Sequence, residues 1–357
     1  MKKLIFIWFI IFYLLNAMES KELPTGTISS IAFGSCAKHW QYQPIWKTVI
    51  SIKPDLFLYV GDAVYADNDG KTAWQVSKKQ LLGEWNRLAD KPEFQEVRKQ
   101  VPFMATWDNH DYGTHAGGSE FTLKRESQEA FLNFFNEPEN SLRRKSEGIY
   151  DEKIFGDVGK RVQIILLDTR FFKSKPIKDT RTKKEKQMLG IVGNYLPNRE
   201  SNATLLGTKQ WTWLEEAFKK PAELRLIVSS TQVVADQKAM DEWGNYPNER
   251  ERLLNLIEKE EDAAVLILSG NVHFSEISSY AFKDKKVLDF TSSGLTHINS
   301  SYAEMKNDYL LKGPFVDLNF GLVDIDWDNG LIELKAIDID GKIAYKYKTE
   351  IKKLTQK

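Results

Sequence analysis

Six short polar clusters in this chain each follow a short apolar run. They are Gly34-Ser35-Cys36, Gly61-Asp62-Ala63-Val64-Tyr65, Trp107-Asp108-Asn109-His110-Asp111, Asp168-Thr169-Arg170, Ser269-Gly270-Asn271-Val272-His273 and Thr291-Ser292-Ser293-Gly294-Leu295-Thr296-His297. Thiol, carboxylate, phenol, amide and imidazole are the side chains that bind metal ions. An apolar run that ends on Gly, Asp, Asn or His reads as a buried strand presenting ligands at its C-terminal edge. Such clusters in succession predict a single site, that of a hydrolase built around metal ions.

Each candidate has a chemical reading and a plainer one. Asp62 can bridge two cations, one oxygen to each, or simply cap a turn. Tyr65 binds a metal only as phenolate, which at neutral pH needs a strong Lewis acid and favours trivalent iron over zinc; otherwise it is a core residue. Cys36 is a strong soft ligand as thiolate, or a small buried hydrophobe. Asn109 can offer an amide oxygen while His110 faces substrate. Asp111 is expected to orient the His110 ring and raise its pKa, making His110 a proton donor to a leaving alkoxide. Asn271 and His273, two residues apart, project to one side of an extended segment, and His273 is a conventional ligand through its neutral imidazole. Arg170 carries a guanidinium fork that matches phosphate oxygens, or pairs with a nearby carboxylate. His297 is expected to contact substrate or a supporting carboxylate. His39 and His115 receive no role, and Trp211, Trp213 and Trp243 read as core and pocket wall.

The elements that must hold these groups alternate. Strands are expected at Ser30–Phe33, Leu56–Val60, Phe103–Thr106, Val162–Leu167, Leu224–Ser229 and Ala264–Leu268. Helical spacing is seen at Gln43–Ser51, Ala73–Leu88, Glu120–Phe135, Thr208–Phe218 (with Thr208 as cap) and Asn248–Lys259. Lys173–Leu205 lacks periodicity and reads as a long excursion over one face. Its Lys-rich start, Lys173 to Lys186, either steers an anionic substrate or is a solvated loop. Gly321–Trp327, Leu331–Ile337 and Lys342–Ile351 form a β-meander turned at Asp328-Asn329-Gly330 and Asp340-Gly341. Strand–helix alternation followed by a meander predicts a mixed α/β (α+β) fold, a four-layer αββα sandwich.

Lys+Arg and Asp+Glu balance at 50 each, so bulk charge gives no argument for nucleic acid, and no nucleic-acid-binding module is expected. With Cys36 the single cysteine, no intrachain disulfide can form. Lys2 and Lys3 precede an almost unbroken apolar run from Leu4 to Leu15, a basic region and apolar core of signal-peptide length, too short to span a bilayer comfortably. Residues 1–20 are therefore expected to be a signal peptide ending at Ala17 or Ser20, and residues 21–357 a single catalytic domain exported to a periplasm or the extracellular space. A retained N-terminal anchor is the alternative. Asn202-Ala203-Thr204 and Asn299-Ser300-Ser301 match glycosylation sequons, relevant in a eukaryotic host.

Taken in order, the clusters resemble the alkaline phosphatase D (PhoD-like) family of metallophosphoesterases. The resemblance rests on Phe33-Gly34-Ser35-Cys36, Gly61-Asp62 through Tyr65-Ala66-Asp67, Thr106 to Gly113, Leu167-Asp168-Thr169-Arg170, Leu206-Gly207 through Trp213-Leu214, Trp243-Gly244 with Pro247, Leu268 to Phe274, and Thr291 to Thr296. It implies an αββα metallophosphoesterase fold and a binuclear centre, iron(III) with calcium or another divalent ion such as zinc, manganese or magnesium. Cys36, Asp62, Tyr65, Asn109, Asn271 and His273 fall on its ligand positions, and His110 and Arg170 on substrate-facing ones. The implied reaction is hydrolysis of a phosphomonoester or phosphodiester by a metal-bound hydroxide attacking in line. Two departures stand out. The family's Ser-Gly-Asp-Val-His is Ser-Gly-Asn-Val-His here, which leaves the site more positive, predicting a weaker hold on one ion and a stronger pull on phosphate. It also opens a second reading, a metal- or phosphate-binding pseudoenzyme; an envelope scaffold is a third. The N-terminal β-sandwich of some relatives is not recognisable.

Overall fold

The computed structural model describes residues 19–67, 76–283 and 285–355. The expected leader lies almost wholly outside these residues, as does the start of the helix expected from Ala73. Among the described residues fifteen strands follow in order. They are β1 (Ser30–Gly34), β2 (Leu56–Val60), β3 (Phe103–Thr106), β4 (Asp151–Phe155), β5 (Val162–Leu166), β6 (Ile177–Lys178), β7 (Tyr195–Leu196), β8 (Leu224–Ser229), β9 (Ala264–Ser269), β10 (Ser275–Phe282), β11 (Lys285–Ser292), β12 (Leu310–Phe315), β13 (Asn319–Asp326), β14 (Leu331–Asp338) and β15 (Ile343–Glu350). One sheet has the order β15-β14-β13-β1-β2-β3, the other β12-β10-β11-β9-β8-β5-β4, and β6 pairs with β7 in a small ribbon. β1, β2 and β3 are mutually parallel, as are β5, β8, β9 and β11.

Layering follows from side-chain alternation. In β2, Leu56, Leu58 and Val60 pack between the sheets, where they meet Leu226 of β8 and Leu266 of β9. Phe57 and Tyr59 point the other way, onto helices that contribute Trp46, Trp85 and Phe94. Val265 and Ile267 of β9 face Trp211, Leu214 and Leu253 of the helices Gly207–Phe218 and Pro247–Glu258. Successive residues thus face different apolar layers, which is why these strands read as unbroken hydrophobic runs. The result is the expected αββα sandwich of metallophosphoesterase type, with the C-terminal meander forming half of one sheet.

Several elements missed in the sequence carry polar residues. Helix Pro92–Gln100 opens on a proline at its first turn, and β4 is an edge strand carrying Asp151, Glu152 and Lys153. β10 and β11 bury polar residues that find partners: Glu276 receives Gln232 and Lys238, and Asp289 receives Ser269 and the Val233 and Val234 amides. Thr208 does not cap its helix. Thr204 accepts from the Gly207 amide at 2.8 Å, and Glu249 accepts from the Leu205 and Leu206 amides.

The Lys173–Leu205 excursion is ordered. It contains the β6–β7 ribbon and a short helix, Lys183–Met188, with a Thr182/Glu185 capping box. It docks through main-chain bonds from Gly193 to Lys238 and from Tyr195 to Ala239. A side chain at Gly193 would meet the Ala239 carbonyl at 1.8 Å, so only glycine permits this approach. Lys173 and Lys186 are buried, paired with Asp241 and Asn194 respectively, and neither is free to steer an approaching anion.

Candidate metal centre

Parallel strands of both sheets end at one rim. A Cβ on Gly270, after β9, would meet Ser35 Oγ at 2.4 Å and the Val60 carbonyl at 2.9 Å, so the tips of β1, β2 and β9 touch there. Immediately beyond these tips the chain turns sharply. Cys36 (φ 63°), Asp62 (φ 55°), Asn271 (φ 73°) and His273 (φ 62°) are left-handed, four of the nine non-glycine residues with positive φ among the described residues. That conformation costs roughly 1–3 kcal/mol per residue and persists only where surrounding structure enforces it. Its concentration on the candidate ligands marks this rim as the functional one.

The turns bring together Cys36, Asp62 and His273, whose ligand atoms all lie within 4.8 Å of one another. Cys36 Sγ lies 3.4 Å from Asp62 Oδ2 and receives Ser293 Oγ at 3.1 Å. The Tyr65 phenol interacts with the same thiol and lies 3.2 Å from His297 Nε2. Asn109 and Asn271 line the adjoining cleft with His110 and His273. Asn271 Nδ2 donates to the Asp241 carbonyl at 3.0 Å, which fixes the amide's orientation.

This donor set fits a cation. Burial pushes the Cys36 thiol up, pushes the Asp62 carboxyl to about 7, raises the Tyr65 phenol and lowers the His273 imidazole to about 3. Three potential anions packed together are costly unless something positive joins them. A soft sulfur, a carboxylate, a phenol and a neutral imidazole suit a transition-metal ion better than magnesium.

His110 stacks on Tyr65 with ring centroids 4.2 Å apart. Burial disfavours its charged form, but Asp62 and Asp67 outweigh that and raise its pKa to about 9. The orienting carboxylate is Asp67, 2.5 Å from His110 Nδ1. Asp111, expected in that role, instead accepts from the main-chain amides of Asp62 (2.6 Å), Val64 (2.8 Å) and Asp108 (3.0 Å). It locks the Asp62 and Asp108 loops together. Asp67 follows the Tyr65 turn and was legible only as part of the Tyr-Ala-Asp stretch.

Arg170 was expected to face substrate. It is fully buried, with its guanidinium held by Asp108 and Asp241, and Lys173 also binds Asp241. The plainer reading, an ion pair, describes its geometry. Asp168 is likewise internal, accepting from Trp107 Nε1 and the Ile149, Arg170 and Phe171 amides.

His39, unassigned from sequence, supports Tyr65. Its Nδ1 accepts from the Tyr65 amide at 3.1 Å, and its Nε2 contacts Glu84, which also binds Arg87. Burial draws the ring to about 4, so it is neutral, with the proton on Nε2 toward Glu84. Glu84→Gln preserves shape but loses that preference. Its expected result is a folded protein that binds metal about 10-fold more weakly, the low end for a residue that supports a ligand; metal titration followed by circular dichroism checks both halves.

A mixed four-layer sandwich with a thiol–carboxylate–imidazole cluster at its parallel-strand rim defines a metallophosphoesterase-type protein. A family model for PhoD-like phosphatase matches residues 31–312, and the chain belongs to that family. It is 22% identical over 302 residues to alkaline phosphatase D of Bacillus subtilis (strain 168), a match covering 73% of this chain and 49% of that protein. The chain thus spans about half the length of this curated relative. Among solved structures, one titled "Structure of PhoD" superposes with a TM-score of 0.69 at 15% identity, covering 93% of this chain and 71% of that one. GAP50 of Plasmodium, described as the anchor in the inner membrane complex, superposes with a TM-score of 0.51 at 14% identity, covering 91% and 89%. Among the described residues no helix is long and apolar enough to cross a membrane.

Proposed function

We propose that the chain is an exported, metal-dependent phosphoric ester hydrolase. The observation that carries this reading is the Cys36–Asp62–His273 cluster, its thiol and carboxylate buried and its imidazole lining a cleft that also presents His110. Cys36, Asp62, Tyr65, Asn109, Asn271 and His273 would hold a binuclear centre, iron(III) with calcium or another divalent ion. Such ions supply Lewis-acid activation of water and of the phosphoryl oxygens. Asp67 holds His110 through Nδ1 and favours its protonated form, so that Nε2–H can be given to the departing alkoxide oxygen. His297 holds the Tyr65 hydroxyl. Arg170 acts by keeping Asp108 and Asp241 in place beside the cleft. The cleft, about 110 Å³, shares His115, Ala116 and Tyr195 with a neighbouring cavity of about 460 Å³, room for the alcohol portion of an ester. The apolar leader at residues 4–15 supports export.

Asn271 favours one alternative, a protein that binds metal or phosphate with little turnover, and the fold also serves as an anchor in GAP50. One purified sample separates the two. Metal analysis with a visible spectrum is expected to give a coloured protein from phenolate-to-iron charge transfer, bleached by Tyr65→Phe. Assays on a mono- and a bis-aryl phosphate then follow. A loaded, coloured protein that binds phosphate but cleaves neither ester establishes the binding reading; a colourless protein without metal sinks both.

A further inference from the structure

The sandwich is open along one side, where β3 and β4, the outermost strands of the two sheets, face each other. A cavity of about 620 Å³ lies there, away from the metal rim, walled by Met104 of β3, Lys153 of β4, Leu23 and Phe135. Arg98, from helix Pro92–Gln100, lines it and is only 3% exposed. Its guanidinium lies 5.1 Å from the Phe103 ring and 5.3 Å from the Phe135 ring.

Its Nε–H is buried without a partner, and no carboxylate acts on the guanidinium among the described residues. The other buried arginines contrast with it. Arg170 has Asp108 and Asp241, and Arg225 has Glu260. Burial alone draws Arg98 down to about 10, with no carboxylate near enough to oppose it. A guanidinium so placed is costly in the ligand-free protein and offers planar N–H donors to whatever enters the cavity. Arg143, on the same wall, is already committed to Glu137 and to the Ile149 and Ala105 carbonyls.

We propose that this lateral cavity is a second binding site, in which Arg98 takes the carboxylate of an amphiphile whose apolar body lies against Leu23, Met104 and Phe135. The carboxylate is planar and pairs bidentately with a guanidinium; the apolar body is confined to the Leu23, Met104 and Phe135 side of a wall that elsewhere carries Lys21 and Lys153 beside Glu22 and Asp151. The site shares no residue with the metal cleft and stands independently of the hydrolase reading.

Octanoate and octan-1-ol are suitable probes, titrated calorimetrically into the full chain. Saturable one-to-one octanoate binding is expected, at least 10-fold tighter than octan-1-ol and weakened at least 10-fold by Arg98→Met, which keeps the apolar stem. Hydrolysis of an aryl phosphate is expected to be unaffected by octanoate. Equal binding of acid and alcohol to the unaltered protein overturns the proposal and requires no variant. So does octanoate binding that Arg98→Met leaves unchanged, an absence of saturable octanoate binding, or competition between octanoate and the ester substrate, which would place the acid in the catalytic cleft.

Discussion

Asp62→Asn is expected to abolish metal binding and ester hydrolysis while leaving the metal-free fold intact. Asp62 is fully buried, its Oδ2 faces Cys36, and its Oδ1 accepts from the His110 amide at 3.2 Å. Burial, with the Asp108 charge adding, pushes this carboxyl to about 7 against the pull of His110 and Arg170. Asparagine keeps an oxygen for the His110 amide and removes a buried negative charge. The metal-free variant should therefore melt at the same temperature as the parent or higher, since replacing a strained buried charge by a neutral isostere is neutral or stabilising. With metal the order reverses, because the parent gains from a bound ion and the variant does not. The activity loss should exceed the 10–100-fold typical of residues that merely support a ligand. Melting curves with and without chelator, beside metal content, test it. A variant that retains metal and rate would remove Asp62 from the centre.

Arg170→Met is expected to act through stability. The guanidinium separates Asp108 from Asp241 with no solvent contact. Burial opposes ionisation of Asp241, yet Arg170 and Lys173 hold its carboxyl well below the usual carboxylate range. Because that pKa is depressed in the folded state, its contribution is present at neutral pH and is lost as pH falls below the ordinary aspartate value. Removing one partner of a buried ion pair costs about 3–5 kcal/mol, a large share of a typical folding free energy. Arg170→Met should unfold at markedly lower urea, and the deficit should shrink in acid. If the variant instead keeps its urea midpoint and only raises KM for the ester, Arg170 touches substrate and the positioning role assigned to it is wrong.

The sequence revealed the parts of the fold whose side chains alternate between two apolar layers. β2, β3 and β8 have the expected limits because every residue in them or its neighbour is buried against another layer. β4 and β10 escaped because their signal is polar: an edge strand carries charge outward, and Glu276 is buried only because Lys238 and Gln232 meet it; β11 is marked only as the apolar run before Thr291. The same limit governs the site. Residue type and position after an apolar run marked Cys36, Asp62 and His273, which meet. Which carboxylate orients His110 depends on how a turn folds back, and local spacing favoured Asp111 where the fold uses Asp67. Arg170 shows the converse, since nothing local reveals that Asp241, 71 positions later, closes over it.

The rim draws on both sheets: Ser293, which caps the Cys36 thiol, lies 257 positions further along the chain. No amino-terminal fragment that ends before His273 can bring Cys36, Asp62 and His273 together, however well its own sheet forms. An ion held by these three groups would therefore be captured only after both sheets have closed on each other, and would act as a latch on that assembly.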